Sequence, residues 1–176
     1  MSFILDSGER RTFSSGAVRD ISDTKGRMDL LPFDIVSRLV SLNLAEAPHL
    51  HKEAFGLPLI FKRMNKFVET KEPVELYALL REFIWTRYPS LETALIELSI
   101  HYQQGAQKYC ERNWEKGINT HCFVDSALRH GVKYCRGDKD EPHDRAFMWN
   151  LIGLLWTLEH KPEYDDLPPV QNLKYE

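Results

Sequence analysis

Apolar residues recur along the chain at helical spacing, and nowhere does a strand-like alternation run long enough to define a sheet. From Asp34 the pairs Ile35/Val36 and Leu39/Val40 repeat at i, i+4, which predicts a helix that starts after Pro32 and ends by Pro48. After Gly56-Leu57-Pro58 the pattern gives a helix over 59–68. A clearer one follows over 74–85, with Leu76, Leu79, Leu80 and Phe83 on one face. Pro89 ends it and leaves Ser90 as the next N-cap. The helix Leu91–Tyr109 carries Leu91, Leu95, Leu98, Tyr102, Ala106 and Tyr109 as a single apolar stripe for the core. Another helix spans 122–136 and stops at Gly137. Pro142 then suits the start of His143–His160, which is apolar on nearly every side and belongs in the middle of a bundle. Residues 1–28 are polar, with turn formers at Ser14-Ser15-Gly16 and Asp23-Thr24-Lys25-Gly26, and read as an extended arm. Residues 161–176 hold three prolines and read as a peripheral or disordered strap. The predicted fold is all-α, a compact helical bundle with an extended N-terminal arm, in a single domain over 1–176.

Polar positions add candidate chemistry to this frame. On the helix Leu91–Tyr109, Glu92, Ser99, Gln103 and Gln107 line up, and so separately do Glu97, His101, Gln104 and Lys108. One helix rarely needs two solvent faces. The second stripe lies between the apolar stripe and Ile96/Ile100, so it is expected to point into a partly enclosed groove. There Glu97 suits a hydrated Mg²⁺ and Lys108 a phosphate; the alternative is a solvated helix at an oligomer edge. Asp125 and Arg129 stand at i, i+4, either as a surface ion pair or as a second metal carboxylate beside a phosphate-binding guanidinium. His130 lies about a third of a turn away.

His143, Asn150 and Thr157 repeat every seven residues on one line of an otherwise apolar helix. A buried amide needs a partner, so Asn150 makes either an interhelical hydrogen bond or a ligand contact. His143-Asp144 resembles the metal-binding His-Asp step of HD-type phosphohydrolases, a site that also needs an upstream His and a downstream Asp, for which His101 and Asp165 are available only by coincidence of spacing. Trp114, after Arg112 and Asn113 in an interhelical loop, either plugs the bundle end or stacks on a nucleobase.

Composition narrows the class. The chain has 176 residues, 43% of them hydrophobic and 28% charged, with a net charge of -3, which suits one soluble globular domain. No apolar run has the length of a membrane helix, and the first residues lack the features of a secretory signal, so a cytoplasmic location is expected. Cys110, Cys122 and Cys135 form no CxxC or CxxH arrangement and read as small core residues. There is no global basic field, and no stable nucleic-acid complex is expected. Apolar helix surface beyond what one small bundle hides, with four tryptophans, predicts a homo-oligomer, a dimer or tetramer.

Five segments together carry a resemblance: GAVRD at 16–20, KGRMDLLP at 25–32, GAQKYCERNWEKG at 105–117, DSALRH at 125–130 and RGDKDEPHDRAFMWN at 136–150. The sequence resembles a phage and prophage family of dATP/dGTP diphosphohydrolase domains, similar in kind to the all-α MazG-type nucleotide pyrophosphohydrolases. Against that family, residues 41–90 look like an added helical segment. The resemblance implies Mg²⁺-dependent (or Mn²⁺-dependent) cleavage of a deoxynucleoside triphosphate to the monophosphate and pyrophosphate. On that reading Glu97 and Asp125 hold the metal, with His143, Asp144 or Asn150 completing the shell, and His101 or Glu97 acts as base. Lys108, Arg112, Lys116 and Arg129 hold the triphosphate, with Asn113 and Trp114 among the substrate contacts. The paired ExxE and ExxD signatures of MazG-type sites are missing, since Ile100 follows Glu97 and Cys122 precedes Asp125 at three-residue spacing. Two other readings therefore stand beside the first: an HD-type phosphohydrolase built on His143-Asp144, and a non-catalytic phage binding or assembly protein.

Overall fold

In the computed structural model, which describes residues 9–20, 25–45 and 55–168, the helical segments form α1 (Phe33–Ala45), α2 (Leu57–Thr70), α3 (Val74–Arg87), α4 (Leu91–Tyr109), α5 (Thr120–Arg136) and α6 (His143–His160). The helix end expected by Pro48, the turn formers Asp23 and Thr24, and residues 169–176 lie outside the described residues. Local chemistry sets the ends. The Ser90 hydroxyl accepts from the Thr93 amide at 3.3 Å and caps α4. Gly137 takes the left-handed conformation that stops α5, at φ 86°.

α6 is the centre, packing against α1, α3, α4 and α5. Its Phe147, Leu151, Ile152 and Leu154 are essentially inaccessible, as the apolar sequence on all sides requires. Gly153 lets α5 approach closely, since a Cβ there would stand 2.5 Å from the Phe123 ring. The segment expected as an insertion is part of this core: Ile60, Met64 and Phe67 of α2 and Leu76, Leu79, Leu80 and Phe83 of α3 join one continuous cluster with α6. An Arg63 fork ties α2 to α3, donating to Glu75 at 2.8 Å and to Glu82 at 2.6 Å, both carboxylates being buried. This cluster takes up much of the apolar helix surface, while Phe33, Phe61, Val74, Ile96 and Tyr109 among others stay exposed.

The arm differs from expectation. Residues Arg10–Thr12 (β1) and Val18–Asp20 (β2) pair antiparallel, Arg10 opposite Asp20, and Gly16 at φ 83° helps reverse the chain between them. Three-residue strands are too short for alternation to show. Beyond the hairpin, a 3₁₀ turn at Met28–Leu30 docks on α4, with Leu30 and Leu31 buried and the Arg27 amide donating to the Ser99 carbonyl at 3.2 Å. Of the two polar stripes on α4, the first therefore holds buried Ser99 and Gln103. The cysteines are also corrected, because Cys110, Cys122 and Cys135 are all exposed and free. Among the described residues no helix is long and apolar enough to cross a membrane.

Candidate functional site

α4 and α6 pack side by side, and two cavities lie along their seam. The first, about 330 Å³, is walled by Leu30, His101, Tyr102, Trp114 and Trp149, with Arg112 and Asn113 among its lining residues. Its rings stand at angles to one another: Tyr102 meets Trp114 edge-on at 5.9 Å and Trp149 at 6.2 Å. Arg112 sits 5.6 Å above the Trp114 ring. Three polar atoms of this wall, Tyr102 Oη, Trp114 Nε1 and His101 Nδ1, are buried without a hydrogen-bond partner among the described residues. A hydroxyl and an indole N–H left so keep unspent donor capacity inside the wall. Burial, reinforced by His130 and Arg145, brings His101 down to about 4, so its imidazole is neutral at pH 7. Burial likewise pushes the Tyr102 phenol up, keeping it a donor.

The second cavity, about 410 Å³, is polar and is lined among others by Arg87, Tyr88, Glu97, Glu141, His143, Asp144 and Arg145. Arg145 pairs with Glu97 across α6 and α4, and Arg87 reaches Asp144 from α3 at 2.7 Å. The two cavities are neighbours along the same helices. Glu97 faces the charged cleft and His101 the aromatic one, a single turn or about 6 Å further along α4; Arg145 and Trp149 repeat that step on α6.

Behind the charged cleft lies a linked set of side chains. His143, buried at the start of α6, has its Nδ1 2.9 Å from His130 Nδ1 and its Nε2 2.7 Å from Asp140 Oδ1. Burial pushes His130 below its ordinary value. Hydrogen bonds from Lys133 and His143 hold Asp140 well below the usual carboxylate range.

The expected site residues divide accordingly. His101, Arg112, Asn113 and Trp114 meet at the aromatic cavity, and Glu97, His143 and Asp144 at the charged cleft. Asp125 lies elsewhere: its side chain is 76% exposed and 3.6 Å from Arg129, the geometry of a surface ion pair. Arg129 also donates to Ser126. Lys116 turns to Asn113 at 3.2 Å, and Lys108 lies over the Tyr109 ring, both exposed and outside the two linings. Asn150 lines neither cavity. Its amide donates to the Ala146 carbonyl of its own helix at 2.8 Å. His143 joins two of the groups of side chains that could hold a metal among the described residues, and Asp144 joins none, being paired with Arg87 instead. Trp114 both plugs and lines, packing edge-on against Trp156 at 4.7 Å while its Nε1 stays unpartnered.

Residues the sequence did not single out include Arg87, Arg145, Glu141 and Asp140. Each is an ordinary surface type whose partner comes from another helix or from the α5–α6 loop. The one available signal was density, four acidic residues among Asp138, Asp140, Glu141 and Asp144 around His143.

No curated protein and no solved structure matches the chain. The family described as dATP/dGTP diphosphohydrolase, N-terminal, matches residues 70–167, a span that begins at the end of α2, takes in α3, and contains every lining residue of both cavities except Leu30. With more than half its length in that match, including the whole α4–α6 seam, the chain belongs to the dATP/dGTP diphosphohydrolase N-terminal family.

Proposed function

We propose that the protein hydrolyses a purine deoxynucleoside triphosphate to the monophosphate and pyrophosphate in a Mg²⁺-dependent (or Mn²⁺-dependent) reaction. The observation that carries this reading is the adjacency of an aromatic cavity with unpartnered donors and a cleft of paired arginines and carboxylates, one turn apart on α4 and α6. The base enters among Tyr102, Trp114 and Trp149, whose side chains turn so that Tyr102 Oη and Trp114 Nε1 donate to its edge. Arg112 steadies the sugar-phosphate side. Arg87 and Arg145 hold the phosphates, giving up their present partners Asp144 and Glu97.

The Glu97 and Asp144 carboxylates that the two arginines release would supply the oxygen donors a hard cation takes alongside phosphate. Bound there, such a cation neutralises phosphate charge and makes water a better nucleophile near pH 7. Glu97, on the cleft wall one turn from neutral His101, is the group placed to accept a proton from attacking water. Asp125, on the solvent side of α5, takes no part. The protein acts in the cytoplasm, where its substrate is found.

The test is product analysis of the purified chain with Mg²⁺ and each of the four deoxynucleoside triphosphates. Monophosphate and pyrophosphate from dATP or dGTP is the expected result. Orthophosphate or inorganic triphosphate instead would replace the reading with an HD-type reaction. Nucleotide binding without turnover would replace it with a binding role.

A further inference from the structure

Where the α5–α6 loop closes the helical hairpin, two imidazoles face each other across almost no space. His130 is 7% exposed and His143 is 3% exposed, their Nδ1 atoms stand 2.9 Å apart, and their rings are tilted by 42°. The Glu141 carboxylate completes a group of three donors whose ligating atoms all lie within 4.8 Å of one another.

The far side of His143 decides what this group can hold. Its Nε2 lies 2.7 Å from Asp140 Oδ1, and the other oxygen of Asp140 accepts from Lys133 Nζ at 2.6 Å. A carboxylate only accepts, so His143 carries its proton on Nε2 and presents a bare Nδ1 lone pair to His130. A carboxylate behind the outer nitrogen is how metal-binding histidines are oriented. We infer that His130, His143 and Glu141 form a seat for a borderline divalent cation of the Zn²⁺ class, with Asp140 as the positioning residue behind His143.

Two imidazole donors suit Zn²⁺ and its transition-metal neighbours, whereas Mg²⁺ wants oxygen throughout. Nitrogen ligands at tetrahedral Zn²⁺ lie about 3.4 Å apart, so the two Nδ1 atoms separate by about half an ångström and the rings turn until both lone pairs converge on the cation. The proton now shared between the two Nδ1 atoms moves to His130 Nε2 as the cation enters. The start of α6 contributes about half a positive charge against a cation, and the Glu141 and Asp140 carboxylates outweigh it. Glu141 and His143 are among the lining residues of the charged cleft, so the seat borders it and a cation would approach from that side. This seat is separate from Glu97 and Asp144 and does not depend on the hydrolysis proposed above.

The experiment is calorimetric titration of the metal-stripped full chain with ZnCl₂, and separately with MgCl₂, in the absence of nucleotide. A Cys122→Ser background is used because Cys122 Sγ and His121 Nε2, 3.3 Å apart on the surface, offer Zn²⁺ a competing site. One equivalent of Zn²⁺ should bind, at least 100-fold tighter than Mg²⁺. Glu141→Gln and Asp140→Asn, both at exposed positions and both keeping side-chain size, should each weaken Zn²⁺ binding by about 10-fold or more. Co²⁺ in place of Zn²⁺ should give visible bands of a tetrahedral nitrogen-oxygen site that Asp140→Asn shifts. Absence of Zn²⁺ binding, equal affinity for Mg²⁺, or Zn²⁺ binding untouched by both substitutions would each overturn the assignment.

Discussion

His101 titrates at about 4 because it is buried, against an ordinary value of 6.5. The unfolded chain takes up this proton near pH 6.5 and the folded chain only near pH 4. The unfolded state therefore binds more protons in that window, and stability falls as pH is lowered through it, by about 3 kcal/mol from this group when complete. Urea unfolding between pH 7 and pH 4 should show that loss, and His101→Gln should make the slope shallower. An unchanged slope would mean that the ring is solvated. Asn150 tests the opposite kind of residue. The seven-residue step from His143 placed it on the same line of the helix, yet its amide is spent on the Ala146 carbonyl and it lines neither cavity. Asn150→Ala is expected to leave turnover per folded molecule within about 2-fold and to lower stability by about 1 kcal/mol, on the scale of one neutral hydrogen bond. A 10-fold loss of turnover with an unchanged melting temperature would return Asn150 to the site. Residue types were legible at both positions, but the direction of the polar atom was not, because it depends on what a neighbouring turn or helix offers.

At the scale of elements, the helices were readable because their apolar positions recur over three or more turns, and α4 and α6 have the limits the pattern gives them. The β1–β2 hairpin was not readable, since three residues per strand hold no period. Nor was the Arg63 fork, whose partners belong to a different helix. The α5–α6 contact rests on a feature composition does not advertise, the missing side chain of Gly153. Gly153→Ala improves intrinsic helix propensity by about 1 kcal/mol. Its Cβ nevertheless meets the Phe123 ring at 2.5 Å, in a contact between two packed helices that cannot part without moving the core. Overpacking of this kind costs about 1–3 kcal/mol, so a net loss of stability is expected. Chemical denaturation of the variant measures it, and a stabilised Gly153→Ala protein would show that α5 and α6 are more loosely apposed than a 2.5 Å approach implies.

At the scale of the whole molecule, the arm and the site are one structure. Leu30 helps wall the aromatic cavity, the Arg112 guanidinium donates to the Asp29 carbonyl at 3.1 Å, and Arg27 pairs with Glu111 at 2.7 Å, so the 25–31 segment and the Arg112–Trp114 loop hold each other. The sequence placed Arg112, Asn113 and Trp114 among the candidates because ring, charge and loop coincide there, and His101 because it shares a polar stripe of α4 with Glu97. It did not bring them together with Arg87 and Arg145 because ion-pair partners across α3, α4 and α6 are a property of the assembled fold. Gly26 is the hinge on which this arrangement can be tested. It holds φ at 80°, and a Cβ there would overlap Ser99 Oγ and stand 3.0 Å from the Ile100 amide nitrogen. Gly26→Ala therefore meets both a backbone penalty of about 1 kcal/mol and a collision with α4. The expected outcome is an arm lifted from α4 with the helices intact: unchanged far-UV circular dichroism, faster proteolysis within 25–31, and an affinity for dGTP reduced by about 10-fold as Leu30 leaves the cavity wall. Calorimetry with dGTP reads the last quantity. An arm released by proteolytic criteria with dGTP affinity unchanged would mean that the base does not sit in the aromatic cavity, and would move the nucleotide site to the charged cleft alone.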